Sequence, residues 1–236
     1  MPNLIFGDIA SSSHGNAYML SDGQTTILIE CGVPFKMIQR ACGEAIGAVA
    51  ACLVSHEHKD HSRCIGSIMR NGIRVITSAG TAAALGIDGV ELIADREVVR
   101  VGTLSILAFS TYHDCAEPLG FYIKSHADGE SIVFATDTSN LAYRFHAPTY
   151  LALEANYSAG MLGLCDRLPP KVRERIKLTH MDIDRLCGYI STLDLSACKH
   201  IYLLHLGDAT SSEADFVDRV RRTTGGKIKV TACKRG

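Results

Sequence analysis

Apolar residues in this chain fall in short runs of strand length, broken by turn residues and by a few stretches of helical spacing. Leu4–Ile9, Ala17–Leu20 and Thr25–Glu30 read as strands, the last two flanking a hairpin-like turn at Ser21-Asp22-Gly23-Gln24. Between the first two, Ser11-Ser12-Ser13-His14-Gly15-Asn16 reads as a turn-rich loop. Pro34 suits the first turn of a helix reaching about Cys42. Val49–Val54 is continuously apolar, as expected of a strand buried on both faces. Arg63–Arg70 reads as a helix, Arg74–Thr77 as a strand, and Ser78 as the cap of a helix through Leu85. Glu91–Ile93, Val98–Val101, Leu104–Phe109, Gly120–Lys124, Ser131–Ala135, Tyr150–Leu153 and Lys199–Leu204 then read as strands. Thr210-x-x-Glu213 has capping-box spacing at the head of a helix to about Arg222, and Lys227–Ala232 is a final strand. The pattern predicts one α/β domain over residues 1–236, without linker, repeat or low-complexity segment.

The polar residues at the strand ends change the picture. Val49–Val54 delivers Ser55-His56-Glu57-His58-Lys59-Asp60-His61, which sets three imidazoles and a carboxylate within six residues. Imidazole nitrogen and carboxylate oxygen are donors that zinc and manganese accept. His56 and His58 are two apart, so in an extended segment they leave the same face, whereas Asp60 and His61 diverge. The alternative is a solvated charged loop. Further apolar strands end near His113, Asp137 and His205. Singly, each has a structural alternative: a hydrogen-bonded histidine, or an aspartate in a Thr-Asp-Thr turn. Together with the first cluster they form a donor set for two adjacent divalent ions. His56, His58 and His113 would serve one ion, Asp60, His61 and His205 the other, and Asp137 would bridge them. Such a pair lowers the pKa of a shared water and neutralises charge on a phosphoryl or acyl oxygen.

This ligand order and spacing resembles the metallo-β-lactamase fold superfamily. Other pieces resemble its YycJ/WalJ-like subgroup: Ser11–Asn16, His113-Asp114 with Pro118–Phe121, Thr136-Asp137, Leu153–Asn156, His180 and His205-Leu206. The resemblance covers nearly the whole chain. It implies a four-layer αββα sandwich of two mixed sheets and a metal-dependent phosphodiesterase, with 5′-to-3′ DNA exonuclease activity attributed to the subgroup. It also implies Asp60, Glu154 and His180 as catalytic residues, the last two protonating the leaving oxygen. Ser12, Ser13 and Asn16 would bind substrate. Three departures stand out: Glu30 where the superfamily has Asp, His14 within the serine loop, and Thr179 in place of glycine before His180.

Composition bounds the partners. A net charge of −1 gives no bulk attraction for nucleic acid. One local basic stretch, Arg167, Lys171, Arg173, Arg175 and Lys177, can hold phosphates or serve as a solvated helix face. Tyr157 is a candidate platform for a base. A nucleic-acid substrate is therefore expected, DNA ahead of RNA, with two Zn²⁺ or Mn²⁺ ions as cofactors. The alternatives are a small-molecule hydrolase of thioesters, lactones or cyclic nucleotides, and a non-catalytic metal-bound scaffold. No apolar run spans a membrane and no signal pattern opens the chain, so a cytoplasmic protein is expected. Nine cysteines without a C-x-x-C pair suit a reducing compartment; Cys31, Cys52 and Cys198 lie in strand-like runs, and Cys115 is the one nearest candidate chemistry.

Overall fold

The computed structural model describes residues 3–234; Met1, Pro2, Arg235 and Gly236, at the ends of the expected 1–236 domain, lie outside the described residues. Six strands form the first sheet: β1 (Ile5–Ser12), β2 (Gly15–Ser21), β3 (Thr26–Ile29), β4 (Val49–Leu53), β5 (Arg74–Thr77) and β6 (Glu91–Leu92), paired in chain order. Seven form the second: β7 (Val98–Val101), β8 (Leu104–Ser110), β9 (Leu119–Ser125), β10 (Ser131–Ala135), β11 (Tyr150–Glu154), β12 (His200–Leu204) and β13 (Lys229–Ala232). Both sheets are mixed. β1 to β3 and β7 to β10 pair antiparallel, and the remaining strands pair parallel. Helices α1 (Phe35–Cys42), α2 (Lys59–Ser62), α3 (Ile65–Arg70) and α4 (Ala79–Leu85) belong to the first half. Helices α5 (Ala159–Gly163), α6 (Pro170–Thr179), α7 (Ile183–Ile190) and α8 (Glu213–Thr223) belong to the second.

Strand alternation builds the layers. Ile27, Ile29, Ala51 and Leu53 point toward the facing sheet, where they meet Ile106, Phe121, Ile132 and Phe134. The residues between them point the other way. Leu28 and Cys52 pack with Ile38 and Ile68 of α1 and α3, and Val133 and Leu151 pack with Leu186 and Phe216 of α7 and α8. Strands apolar on both faces thus sit between a sheet and a helix layer, giving the four-layer αββα sandwich. Each fully buried Leu, Ile or Phe contributes roughly 1.5–3 kcal/mol. Across the sheet interface, the Tyr18 ring meets Phe134 edge-on with centroids 5.2 Å apart.

Several local expectations change. The Ser11–Asn16 loop is mostly strand: Ser11 pairs with Asn16 and Ser12 with Gly15, leaving Ser13 and His14 as the turn. Small hydroxyl residues suit either state, and ladder pairing decides. The Arg63–Arg70 helix starts only after Cys64, following the separate short α2. Ser78 caps α4 as expected, accepting from the Thr81 amide. Thr210 does not cap α8, which opens after Ser212; its hydroxyl faces the Asn156 carbonyl instead, 3.5 Å away. Cys31 lies just past β3 and Cys198 just before β12, so of the three cysteines expected in strands only Cys52 is in one. No helix among the described residues is long and apolar enough to cross a membrane.

Asp22 ties the sheets together at the end opposite the histidine loop of β4. Its Oδ1 accepts from the Gln24 and Thr25 amides at 3.0 and 2.8 Å. Its Oδ2 accepts from the Thr103 and Ser125 hydroxyls at 2.5 and 3.1 Å, both on the second sheet's side. Burial works to raise this carboxyl's pKa, but the four donors outweigh it and hold the pKa below the ordinary value. The resulting stability is present above the unfolded carboxyl pKa, near 4, and is lost as pH falls through the native one. Asp22→Ala is expected to cost about 3 kcal/mol in urea unfolding at pH 7, and less at pH 3, where wild type has lost part of the same increment.

Candidate metal centre

The strand ends on one edge of the sandwich converge. β4 delivers His56 and His58 in extended chain, and α2 immediately follows with Asp60 and His61. β8 leads to His113, β10 to Asp137, β11 ends at Glu154 and β12 leads to His205. His180 follows the last turn of α6. Three side chains are held in the sparsely populated left-handed region: Glu30 (φ 65°), Asp137 (φ 41°) and His205 (φ 50°), each just past a strand. Strain of this kind is retained where the surrounding structure overrides it, and here it turns three side chains inward.

All seven predicted ligands meet. His56 Nε2 lies 3.2 Å from His58 Nδ1, which lies 3.2 Å from His113 Nε2. A tetrahedral zinc site with Zn–N near 2.0–2.1 Å has ligand edges of about 3.3 Å, so three imidazoles at this spacing fit one ion. The ring nitrogens turned away are anchored: Ser55 Oγ sits 2.9 Å from His56 Nδ1, and the Thr179 carbonyl accepts from His113 Nδ1 at 2.9 Å. Asp60, His61, Asp137 and His205 form a second group. His61 Nε2 stands 3.3 Å from both Asp60 Oδ2 and Asp137 Oδ1, and His205 Nδ1 stands 2.7 Å from Asp137 Oδ1. His205 Nε2 is buried without a hydrogen-bond partner and lies 3.8 Å from Asp60 Oδ2. A buried, unsatisfied imidazole nitrogen beside a carboxylate fits a cation between them.

Charge supports the same reading. Burial opposes protonation of His61 and His205, yet Asp137, with Glu30 or Glu154, outweighs it; His61 is held well above the ordinary value and His205 is pushed up to about 10. Asp137 remains anionic despite its burial because the two imidazoles face it. The centre demands positive charge between Asp60, Asp137, His61 and His205, which suits a divalent cation. His56, by contrast, is kept neutral by burial and then by His61, the form that ligates.

Glu30 explains its own departure from the expected Asp. Its carboxylate accepts from the Ser55 amide at 3.3 Å, and its Oε2 lies 3.6 Å from His61 Nδ1, so it steadies both ends of the ligand loop. Gly32 fixes the loop from beneath. A Cβ there would sit 1.6 Å from the Asp60 carbonyl oxygen. Gly32→Ala is expected to cost about 3 kcal/mol or more and to lower metal content, read by thermal unfolding and elemental analysis. Sequence reading missed Gly32, whose need is set only by the close approach.

Glu154 and His180 join the centre as a third group with Asp137 and His205. His180 Nδ1 is 2.6 Å from Glu154 Oε1, while Glu154 Oε2 accepts from the Thr138 and Met181 amides at 2.8 and 3.1 Å. Ser12 and Asn16 are buried: Ser12 accepts from the His14 amide, and Asn16 Nδ2 donates to the Ser12 and Asp60 carbonyls. Ser13 alone of that trio is exposed. Ser11, outside the expected site set, accepts from the His205 amide at 2.9 Å. Tyr157 is buried and unavailable as a base platform; its backbone pairs with Asp182 in an isolated parallel bridge. Burial, then Glu57 and Asp137, push the Cys115 thiol up to about 12, so it stays protonated. In the basic stretch, Arg175 is committed to Asp114 and Lys177 to Glu174.

The family model described as beta-lactamase superfamily domain matches residues 25–206. Exodeoxyribonuclease YycJ of Bacillus anthracis is 26% identical over 223 residues, covering 86% of this chain and 82% of that protein. Exodeoxyribonuclease WalJ of Streptococcus pneumoniae serotype 2 is 27% identical over 219 residues, covering 84% and 80%. The crystal structure of the metallo-β-lactamase fold protein YhfI from Bacillus subtilis matches with a TM-score of 0.76 at 14% identity, covering 98% of this chain and 96% of that one.

Proposed function

The chain belongs to the beta-lactamase superfamily, and from that premise we propose that it hydrolyses phosphodiester bonds in nucleic acid, DNA ahead of RNA. The reading takes residues 1–236 as one metal-dependent hydrolase domain acting in the cytoplasm, where its nine free thiols would stay reduced. Two Zn²⁺ or Mn²⁺ ions would be held by His56, His58 and His113 on one side and Asp60, His61 and His205 on the other, with Asp137 between. Bound there, the ions supply Lewis-acid polarisation of a phosphoryl oxygen and lower the pKa of water.

The observation that carries the reading is the buried Glu154–His180 pair, 2.6 Å apart, against the ligand cluster. In its doubly protonated form the His180 ring donates Nδ1–H to Glu154, which holds the ring in place, and presents Nε2–H to the departing oxygen. As water's oxygen bonds to phosphorus it gives one proton to the Asp60 carboxylate, which despite its burial is held below the ordinary carboxylate range beside His61, while the P–O bond to the leaving group breaks and that alkoxide takes the His180 proton; passage of a proton from Asp60 to His180 through solvent resets the pair. Thioester cleavage has less use for such an acid, because thiolates leave unaided. The similarity to two exodeoxyribonucleases supports DNA as the polymer.

The test offers labelled single- and double-stranded DNA, RNA, bis-p-nitrophenyl phosphate and a glutathione thioester to protein supplied with Mn²⁺ or Zn²⁺. Diester cleavage with DNA preferred, and no thioester cleavage, is expected. Thioester turnover alone would select the small-molecule alternative. No turnover with metal bound would select the scaffold.

A further inference from the structure

A cleft of about 370 Å³ opens beside the centre, lined by Ser13, His14, Lys59, Asp60 and Arg63. It shares Asp60 with the ligand cluster, so its floor adjoins the place where the reacting phosphorus would sit. Lys59 and Arg63 stand one helical turn apart, the Arg63 amide donating to the Lys59 carbonyl at 3.0 Å, so their side chains leave the same face. Both are exposed, and neither forms an ion pair among the described residues, unlike Arg175 and Lys177 on α6. Asp60 is the one carboxylate lining the cleft, and it is turned inward toward His61 and His205. Across the opening, the exposed turn of Ser13 and His14 adds a hydroxyl and an imidazole, with His14 Nδ1 3.7 Å from Asp208 Oδ2 at the rim.

Resting on the phosphodiesterase reading, we infer that this cleft binds a second phosphate group of the substrate strand, next to the one being cleaved. Lys59 and Arg63 supply the charge, and Ser13 and His14 supply donors from the opposite wall. The chain's net charge of −1 gives no bulk pull on a polyanion, so an uncompensated cation pair against the centre sets where the strand lies. The phosphate is either a terminal monoester or the neighbouring internal diester; the chemistry is shared, and the experiment separates them.

The experiment is fluorescence anisotropy on the full chain in its metal-bound form, with phosphorothioate oligonucleotides carrying a 5′-phosphate, a 3′-phosphate or neither, over a range of salt. Lys59→Gln/Arg63→Gln is expected to weaken binding about ten-fold per cation removed. It is also expected to flatten the slope of log affinity against log salt by about 0.7, the share of one phosphate on a single strand. Arg63→Lys should restore most of the slope, since charge rather than fork geometry sets it. A preference for one phosphorylated end, lost in the double variant, identifies a terminal monoester. Weakening without end preference identifies an internal diester. Unchanged affinity and slope in the folded double variant overturn the inference, even if wild type cleaves DNA. Absence of any diester cleavage by wild type would instead count against the phosphodiesterase reading.

Discussion

His58→Ala is expected to lower turnover of a phosphodiester by about 1,000-fold or more and to reduce metal content per chain. His58 Nδ1 stands 3.2 Å from both His56 Nε2 and His113 Nε2, so it is the shared vertex of the three-imidazole group. Removing it leaves two imidazoles, which hold an ion poorly against water and chelator. Stabilisation of charge by such an ion amounts to several kcal/mol, and each 1.36 kcal/mol is ten-fold in rate. The fold should persist, because His58 is only partly buried and lies on an extended loop rather than in a sheet. Elemental analysis and kcat on bis-p-nitrophenyl phosphate check the expectation. Full metal content with wild-type turnover would sink the assignment. Treating wild type with a chelator should reproduce the loss, and adding Mn²⁺ or Zn²⁺ should reverse it in wild type but not in the variant.

His180→Ala is expected to behave differently, slowing cleavage of DNA by about 100- to 10,000-fold while metal content stays at the wild-type level. His180 contacts Glu154 at 2.6 Å but stands 3.9 Å from Asp137, so it borders the ligand groups without belonging to the three-imidazole one. The loss should shrink on bis-p-nitrophenyl phosphate, whose p-nitrophenolate departs without a proton. Glu154→Gln should reproduce part of the effect by removing the anion that orients the ring. An equal loss on both substrates would remove His180 from the acid role and leave it a structural neighbour.

Strands and donors were legible in the chain for different reasons. Val49–Val54 and Ile132–Ala135 are apolar at every position, and segments of that kind have few places to go except between a sheet and a helix layer. The histidine loop was legible because its donors are close in sequence. His113, Asp137 and His205 were legible only as strand ends, and their convergence needs both sheets to pair in register. Ser12, Asn16 and Tyr157 read as accessible because polar and aromatic residues tolerate either environment. The structure buries all three: the first two find partners in their own hairpin, and the backbone of the third pairs with Asp182.

The sequence by itself determined the α/β class, the candidate donors and the end of the strands on which they sit. Those properties follow from hydrophobic period and residue chemistry, both local. Tertiary structure alone decided which donors share a point, that Glu30 steadies His61, that Gly32 admits no side chain and that Lys59 and Arg63 face an open cleft. Such relations join residues far apart in the chain through sheet pairing and backbone approach, and no local pattern encodes a distance.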